Sequence, residues 1–435
     1  MRVGILTGGG DCPGLNAVIR AVVKVGVRRF GHEHVGILHG WRGLLEQQAV
    51  PLGVRDVSGI LDRGGTILKS SRTNPCRDAE TTQAAIDGFA ALGIDALVAL
   101  GGEDTLGAAN RLHAERGLPI VGVPKTIDND LSGTDVTFGF DTAVQIVCSS
   151  IDRLHTTAES HDRVMVVEVM GRHAGWIALE SGIAGGADYI LIPEHQPNVP
   201  AVVDALRARH SRGLDSSIVV VSEGVDLGDG GAEGERDEFG HARLAQQGVG
   251  DRLGAIIREA TGFDTRVTVL GHVQRGGTPT ARDRILATRF GTHAAEMVEE
   301  GLFGRMASLR GAIITDVPLA DAVGTLKTVP DEYYRLAQPF FGSQSSAEVP
   351  MVTGGTGALG RPSAGGHDGT GGGCSGMQTA TRIDAIRVSS VPAAPRRCAT
   401  LSHGPNACGR LGRWSGIVTP TTQVPEIGGA NVPAP

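Results

Sequence analysis

The chain lacks a basic field: across 435 residues its formal net charge is −7, from 40 Lys and Arg against 47 Asp and Glu. It therefore has no electrostatic footprint for nucleic acid or an anionic membrane surface, and any phosphate it handles must be met in local cationic pockets. A metal or disulfide signature is missing too. The six cysteines, Cys12, Cys76, Cys148, Cys374, Cys398 and Cys408, are widely spaced and contain no CxxC pair. Such spacing fits reduced thiols better than a disulfide framework or a zinc site. No run approaches the roughly eighteen consecutive apolar residues of a membrane span, and the chain opens on a strand-like Val3 to Leu6 rather than a basic, apolar signal segment. A soluble, cytoplasmic protein is expected. The glycine-rich turn after the first strand, Thr7 to Asn16, is neither of the two common phosphate fingerprints, since it has neither GxxxxGK[ST] nor the GxGxxG spacing.

What is present is 40% hydrophobic residues with 20% charged ones, over a length sufficient for two domains with separate cores. Short β-branched runs alternate with helical periodicity from the start to about residue 320. The expected strands are Val3 to Leu6, Ala96 to Leu100, Ile120 to Val123, Val164 to Val169, Ile218 to Val221 and Val267 to Leu270. Between them, Leu15, Val18, Ile19, Val22 and Val23 share one helical face. This pattern implies an α/β fold of doubly wound, mostly parallel sheets. In such sheets ligands bind beyond the carboxyl ends of the strands, which is where the polar and glycine-rich motifs fall. Gly224 to Gly250 reads as a mobile surface excursion. From about Ser343, Gly, Ser, Thr, Ala and Pro dominate without periodicity, so residues 343–435 are expected to be a disordered, low-complexity tail.

Four motifs carry chemistry. Thr7-Gly8-Gly9-Gly10-Asp11-Cys12-Pro13-Gly14 joins the first strand to an amphipathic helix, and its glycines allow a phosphate to approach the backbone at a helix start. Gly101-Gly102-Glu103-Asp104 places two acids where a phosphate-binding turn belongs, facing ligand or metal. Pro124-Lys125-Thr126-Ile127-Asp128-Asn129-Asp130 collects a cation, a hydroxyl and two carboxylates directly after a strand. A phosphoryl-transfer enzyme needs one carboxylate to accept the attacking hydroxyl's proton and an acid nearby to organise magnesium; Asp128 suits the first role and Asp130 a supporting one. Finally Arg163, Met170-Gly171-Arg172-His173, Arg266 and Gly271-His272-Val273-Gln274-Arg275-Gly276-Gly277 supply guanidiniums whose planar fork matches phosphate oxygens.

Taken in order, TGGGDCPGLNAVIR, GGTILKSSR, GGEDTLGAAN, PKTIDND, EVMGR and LGHVQRGG resemble the 6-phosphofructokinase family from residue 1 to about 342, and its bacterial, actinomycete-like pyrophosphate-dependent branch in particular. The resemblance implies that Asp128 accepts the proton of the C1 hydroxyl of fructose 6-phosphate, with Thr126 beside the reacting centre and Arg172 on the transferring phosphoryl. It also implies that Met170, Gly171 and Glu223 line the sugar pocket. His272 and Arg275 would grip the sugar phosphate, joined by Arg163 and Arg266 from a neighbouring subunit of a homo-oligomer. Gly10 and Arg72 fall on the donor side, and Glu103 takes the place of a magnesium-binding aspartate. Residues 1–140 with 274–320 would form the donor domain, and 141–273 with 321–342 the sugar-phosphate domain.

The family's common ATP-using pattern is GGDG, whereas this chain has Glu103 and Asp104. A carboxylate at the second position fills room for the α-phosphate and ribose of ATP. Two like charges about 4 Å apart cost about 1 kcal/mol in water and about 4 kcal/mol at an effective dielectric of about 20. Pyrophosphate ends where the α-phosphate begins and avoids that penalty, and the resemblance implies that Lys125 neutralises its terminal charge, the role of a lysine at this place in the pyrophosphate-using branch. The expected reaction is a reversible pyrophosphate-dependent phosphorylation of fructose 6-phosphate; the alternative is an ATP-dependent enzyme of the same fold. Ser211-Arg212-Gly213 stands where bacterial relatives carry paired lysines, so weak or absent control by ADP and phosphoenolpyruvate is expected. A catalytically dead sensor would be expected to lose Asp128 or Arg172, and both are present.

Overall fold

In the computed structural model, residues 1–228 and 248–341 are described, all within one compact unit. The expected tail from 343 and most of the expected Gly224 to Gly250 excursion lie outside them.

The strands are β1 (Arg2–Thr7), β2 (Glu33–Ile37), β3 (Ala49–Pro51), β4 (Ala96–Gly101), β5 (Ile120–Thr126), β6 (Phe138–Gly139), β7 (Val164–Val169), β8 (Tyr189–Leu191), β9 (Ser217–Ser222), β10 (Thr265–Val269), β11 (Arg305–Arg310) and β12 (Ile313–Pro318). The α-helices are α1 (Leu15–Val25), α2 (Trp41–Leu45), α3 (Ala79–Ala91), α4 (Glu103–Arg116), α5 (Phe140–Glu159), α6 (Trp176–Ala184), α7 (Val199–His210), α8 (Val249–Thr261), α9 (Ala281–Glu299), α10 (Leu319–Val323) and α11 (Asp331–Arg335). An eight-stranded sheet has the order β12-β11-β5-β4-β1-β2-β3, with β6 beside β5, and a four-stranded sheet has the order β10-β7-β9-β8. All pairs are parallel except β2 with β3 and β11 with β12. Antiparallel pairs thus occur only at the two ends of the larger sheet. The fold is α/β with mainly parallel sheets, as the alternation of runs implied.

The central strands are buried along their whole length and mostly apolar because helices cover both faces. β4 is buried from Ala96 to Gly101 and β9 from Ser217 to Ser222. The face of α1 formed by Leu15, Val18, Ile19, Val22 and Val23 is fully buried, and α9 packs against that helix. Residues near 281–318 therefore return to the larger sheet, where β11 pairs with β5. The expected strand at Val267 to Leu270 begins two residues earlier, at Thr265, because pairing with β7 starts at Val164 and carries polar Thr265 and Arg266 into the ladder. β2, β3, β6, β8, β11 and β12 were not anticipated. They are short, at sheet ends or interrupted by polar residues, so neither a long apolar run nor a clean alternation marks them.

Candidate active site

The motif-bearing ends of β1, β4, β5, β7 and β9 are all carboxyl ends. At the first, Gly8 N–H donates to Leu100 O at 2.9 Å and Gly9 N–H to Ser71 O at 3.0 Å, which fixes the glycine loop against β4 and the Ser70-Ser71-Arg72 segment. The Lys125 ammonium donates to Gly10 O. The Arg275 guanidinium lies so close over Gly10 that a Cβ there would sit 2.5 Å from its Nη1, so a side chain at this position would displace the guanidinium. Arg275 also donates to Asp11 O at 3.4 Å. The LGHVQRGG motif is thereby brought onto the donor-side loop, while His272 of the same short 3-10 turn is exposed.

Glu103 and Asp104 form the first turn of α4, with Gly102 at the N-cap. Carboxylates are favourable there because the helix dipole is positive at that end. Glu103 is exposed and Asp104 half-buried.

The PKTIDND segment continues β5 through Thr126 and then turns sharply. Thr126 accepts the Asp128 N–H at 3.0 Å and donates to the Asp130 carboxylate. Asn129 adopts a left-handed backbone at φ 53, a conformation asparagine tolerates, and its Oδ1 accepts the Thr137 N–H at 3.1 Å. Asp128 Oδ1 and Asp130 Oδ1 are buried without a hydrogen-bond partner. Burial, and next the negative charge of Asp130, push the Asp128 carboxyl up to about 6, against the pull of Arg275, Arg172 and Lys125. Asp130 is raised as well, by burial and with Glu103 adding negative charge nearby. Lys125 is buried, which lowers its pKa. Cys12 is buried with its thiol pushed up, an inert side chain as the spacing of the cysteines suggested.

Across from this turn, the backbone at Gly171 has φ 135, and a Cβ there would lie 2.7 Å from Ala174 O and Ser222 Oγ. Gly171 is therefore required for the loop that presents Arg172. Met170 N–H donates to Gln274 Oε1 at 3.2 Å, and Glu223 accepts the Gly171 N–H while burial and then Asp128 raise its pKa. Arg172 acts as a cation on both Asp128 and Glu223.

The structure thus gathers Gly10, Glu103, Lys125, Thr126, Asp128, Asp130, Met170, Gly171, Arg172, Glu223 and Arg275 near one edge. Arg163 and Arg266 are elsewhere. They lie at the amino ends of β7 and β10, about 20 Å from the carboxyl ends along a six-residue strand. Both pair with Asp264, Arg163 at 2.7 Å. Three positions were not singled out from sequence: Gln274 and Asp264, whose neighbours were, and Lys327, which holds Asn129.

A protein-family model described as Phosphofructokinase matches residues 2–298. A pyrophosphate--fructose 6-phosphate 1-phosphotransferase of Streptomyces coelicolor is 58% identical over 345 residues, covering 79% of this chain and 100% of that protein. From the same organism, ATP-dependent 6-phosphofructokinase 3 is 53% identical over 341 residues, covering 78% and 99%. Among solved structures, Pichia pastoris phosphofructokinase in the T-state superposes with a TM-score of 0.64 at 32% identity, over 78% of this chain and 36% of that one. With its motifs at the carboxyl edges of two parallel sheets and a family match over most of the described residues, this chain belongs to the phosphofructokinase family.

Proposed function

We propose that the chain transfers a phosphoryl group from pyrophosphate to the C1 hydroxyl of fructose 6-phosphate, giving fructose 1,6-bisphosphate and phosphate reversibly, in glycolysis and its reversal. The observation that carries this reading is the Asp128 carboxyl, its Oδ1 buried without a partner, tuned to about 6 and surrounded by Arg172, Arg275 and Lys125. A base with that pKa is ionised at neutral pH and still accepts a proton readily. The C1 oxygen forms a bond to the terminal phosphorus as the bridging P–O bond breaks. The hydroxyl proton passes to Asp128, and phosphate leaves. Arg172 offsets charge on the transferring group, which is where fixed cations contribute most. In the reverse direction protonated Asp128 returns the proton.

The donor reading rests on Asp104 at the start of α4, beside the loop that would cradle phosphates, and on Lys125 reaching Gly10. Relatives named for either donor are 58% and 53% identical, so overall similarity alone separates them weakly and the charge at residue 104 decides. Gly10 and Arg72 would complete the donor side. Met170, Gly171, Glu223, His272 and Arg275 would surround the sugar phosphate.

Magnesium fits the residues present. Among the described residues no group of three or more His, Cys, Asp or Glu is arranged to hold a metal, but Mg²⁺ takes one or two carboxylates and completes its shell with phosphate oxygens and water. Glu103 would hold it with Asp130 in support, and Asp130 Oδ1 is buried without a partner. The ion would neutralise donor charge during transfer. Arg163 and Arg266, too far to serve their own site, would reach a neighbour's sugar phosphate in a homo-oligomer. We place the enzyme in the cytoplasm, and no helix among the described residues is long and apolar enough to cross a membrane.

Steady-state assays of fructose 6-phosphate phosphorylation with pyrophosphate and with ATP test the reading. Turnover with pyrophosphate and little with ATP is expected. Faster turnover with ATP would replace it with the ATP-dependent alternative.

A further inference from the structure

The segment following α10 supplies no reacting group, yet it is fastened to both catalytic loops. Lys327 Nζ donates to Asn129 Oδ1 at 2.8 Å, to Thr134 O at 3.1 Å and to Asp135 O at 2.8 Å. An ammonium has three protons, so this one has no donor left for a substrate phosphate. The Lys327 N–H donates to Asp130 O at 2.9 Å, and Leu326 bridges to Leu131. On its other side, the Lys327 carbonyl accepts the Trp176 Nε1 proton at 2.9 Å, and its ammonium stands 5.3 Å from the centre of the Trp176 rings. Trp176 is the first residue of α6, directly after the Arg172 loop. Two residues along, Val329 N–H donates to Glu194 Oε1 at 2.9 Å, the carboxylate that also accepts the Gly175 N–H.

The turn so held is an unfavourable one. It has a non-glycine residue with positive φ and two desolvated carboxylates of like charge, each of which stores free energy that surrounding contacts must offset. A single half-buried ammonium that meets one side chain and two carbonyls of the same turn does so, and the indole contact couples the turn to the opposite sheet.

We propose that Lys327 is a positioning residue, which locks the turn bearing Asp128 and Asp130 and fastens it to the Trp176 end of the Arg172 loop. Base and arginine then address the transferred group from fixed positions. The role in turnover rests on the reaction proposed above; the locking of the turn does not.

Full-length Lys327→Met and wild-type enzyme are compared in two ways. In the assay with fructose 6-phosphate and pyrophosphate, kcat falls about 100-fold, as expected for misplacement of reacting groups by about an ångström, while KM for each substrate changes less than about three-fold. In amide hydrogen exchange, the peptide spanning residues 128–137 exchanges about ten-fold faster while the one spanning 96–101 does not change, which separates local loosening from global instability. A kcat within about two-fold of wild type, or unaltered exchange over 128–137, overturns the proposal. If the wild type turns over neither donor, the reaction proposed above fails and exchange alone decides this one. If Lys327→Met does not fold, Trp176→Phe removes the indole donor but keeps an aromatic ring, and the same two readings decide, with a fall in kcat of about ten-fold expected.

Discussion

The two edges of the smaller sheet carry the same kinds of charge and treat them in opposite ways. At the amino edge Arg163 and Arg266 share Asp264, the carboxylate is held below its ordinary value by the Arg163 hydrogen bond, and the groups face solvent. At the carboxyl edge Arg172 stands near Glu223 and, across the gap, Asp128; burial raises both carboxyls, and Asp128 Oδ1 is left without a partner. A satisfied ion pair has little chemistry left to do. Groups kept desolvated and under-partnered are poised to take a proton or a phosphate, so the carboxyl edge is where reaction belongs and the amino edge is where assembly or stability belongs.

The harshest way to break this comparison is to remove the poised base. Asp128→Asn should lower kcat with fructose 6-phosphate and pyrophosphate by roughly 10³-fold. In the wild type, kcat/KM for phosphorylation should rise with pH through about 6 as Asp128 ionises, because only the carboxylate accepts the proton. That limb should vanish in the variant; a stopped assay from pH 5 to 8 reads both.

The amino edge can be tested by mixing. If Arg266 serves a neighbouring subunit, Arg266→Ala and Asp128→Asn preparations, each weak alone, should regain activity after joint unfolding and refolding, because hybrids contain some sites free of both changes. Recovery of about a quarter of wild-type activity is the scale expected of random association into dimers sharing two sites. No gain on mixing would confine Arg266 to its ion pair.

A smaller effect concerns His34, near the amino end of β2 in the larger sheet. Its ring nitrogens are buried without hydrogen-bond partners, and burial lowers its pKa to about 4. The folded state therefore disfavours the proton that the unfolded chain takes up near 6.5, so this residue's contribution to stability is present above that pH and is lost as pH falls toward 4. The full difference corresponds to about 3 kcal/mol. His34→Leu should flatten the decline in urea-unfolding stability between pH 6.5 and 4 by about 2 kcal/mol and leave kcat at neutral pH within about two-fold.

Much of this organisation was legible in the sequence, for identifiable reasons. Buried parallel strands are continuous apolar runs, so β1, β4, β5, β7 and β9 announced themselves, and the motif after each marked the binding edge. Asp128 and Lys125 stood out because charge directly after an apolar strand is costly unless used. Lys327 gave no such signal. It is distant in sequence from Asn129, lies in a stretch without periodicity, and two of its three acceptors are backbone carbonyls that any sequence would supply. The pairing of Asp264 with Arg163 and Arg266 was equally hidden, since register between β7 and β10 decides it. The short end strands escaped because polar residues such as His34 and Ser308 interrupt their apolar runs.

The central claim is that a carboxylate at residue 104 selects the shorter donor. Its most direct test is kcat/KM for pyrophosphate and for ATP in the wild type and in Asp104→Gly. The account predicts that pyrophosphate is preferred by the wild type and that the variant shifts the ratio toward ATP by about 10-fold or more, the scale of one buried like-charge contact. An unchanged ratio, or a wild type that prefers ATP, would contradict it.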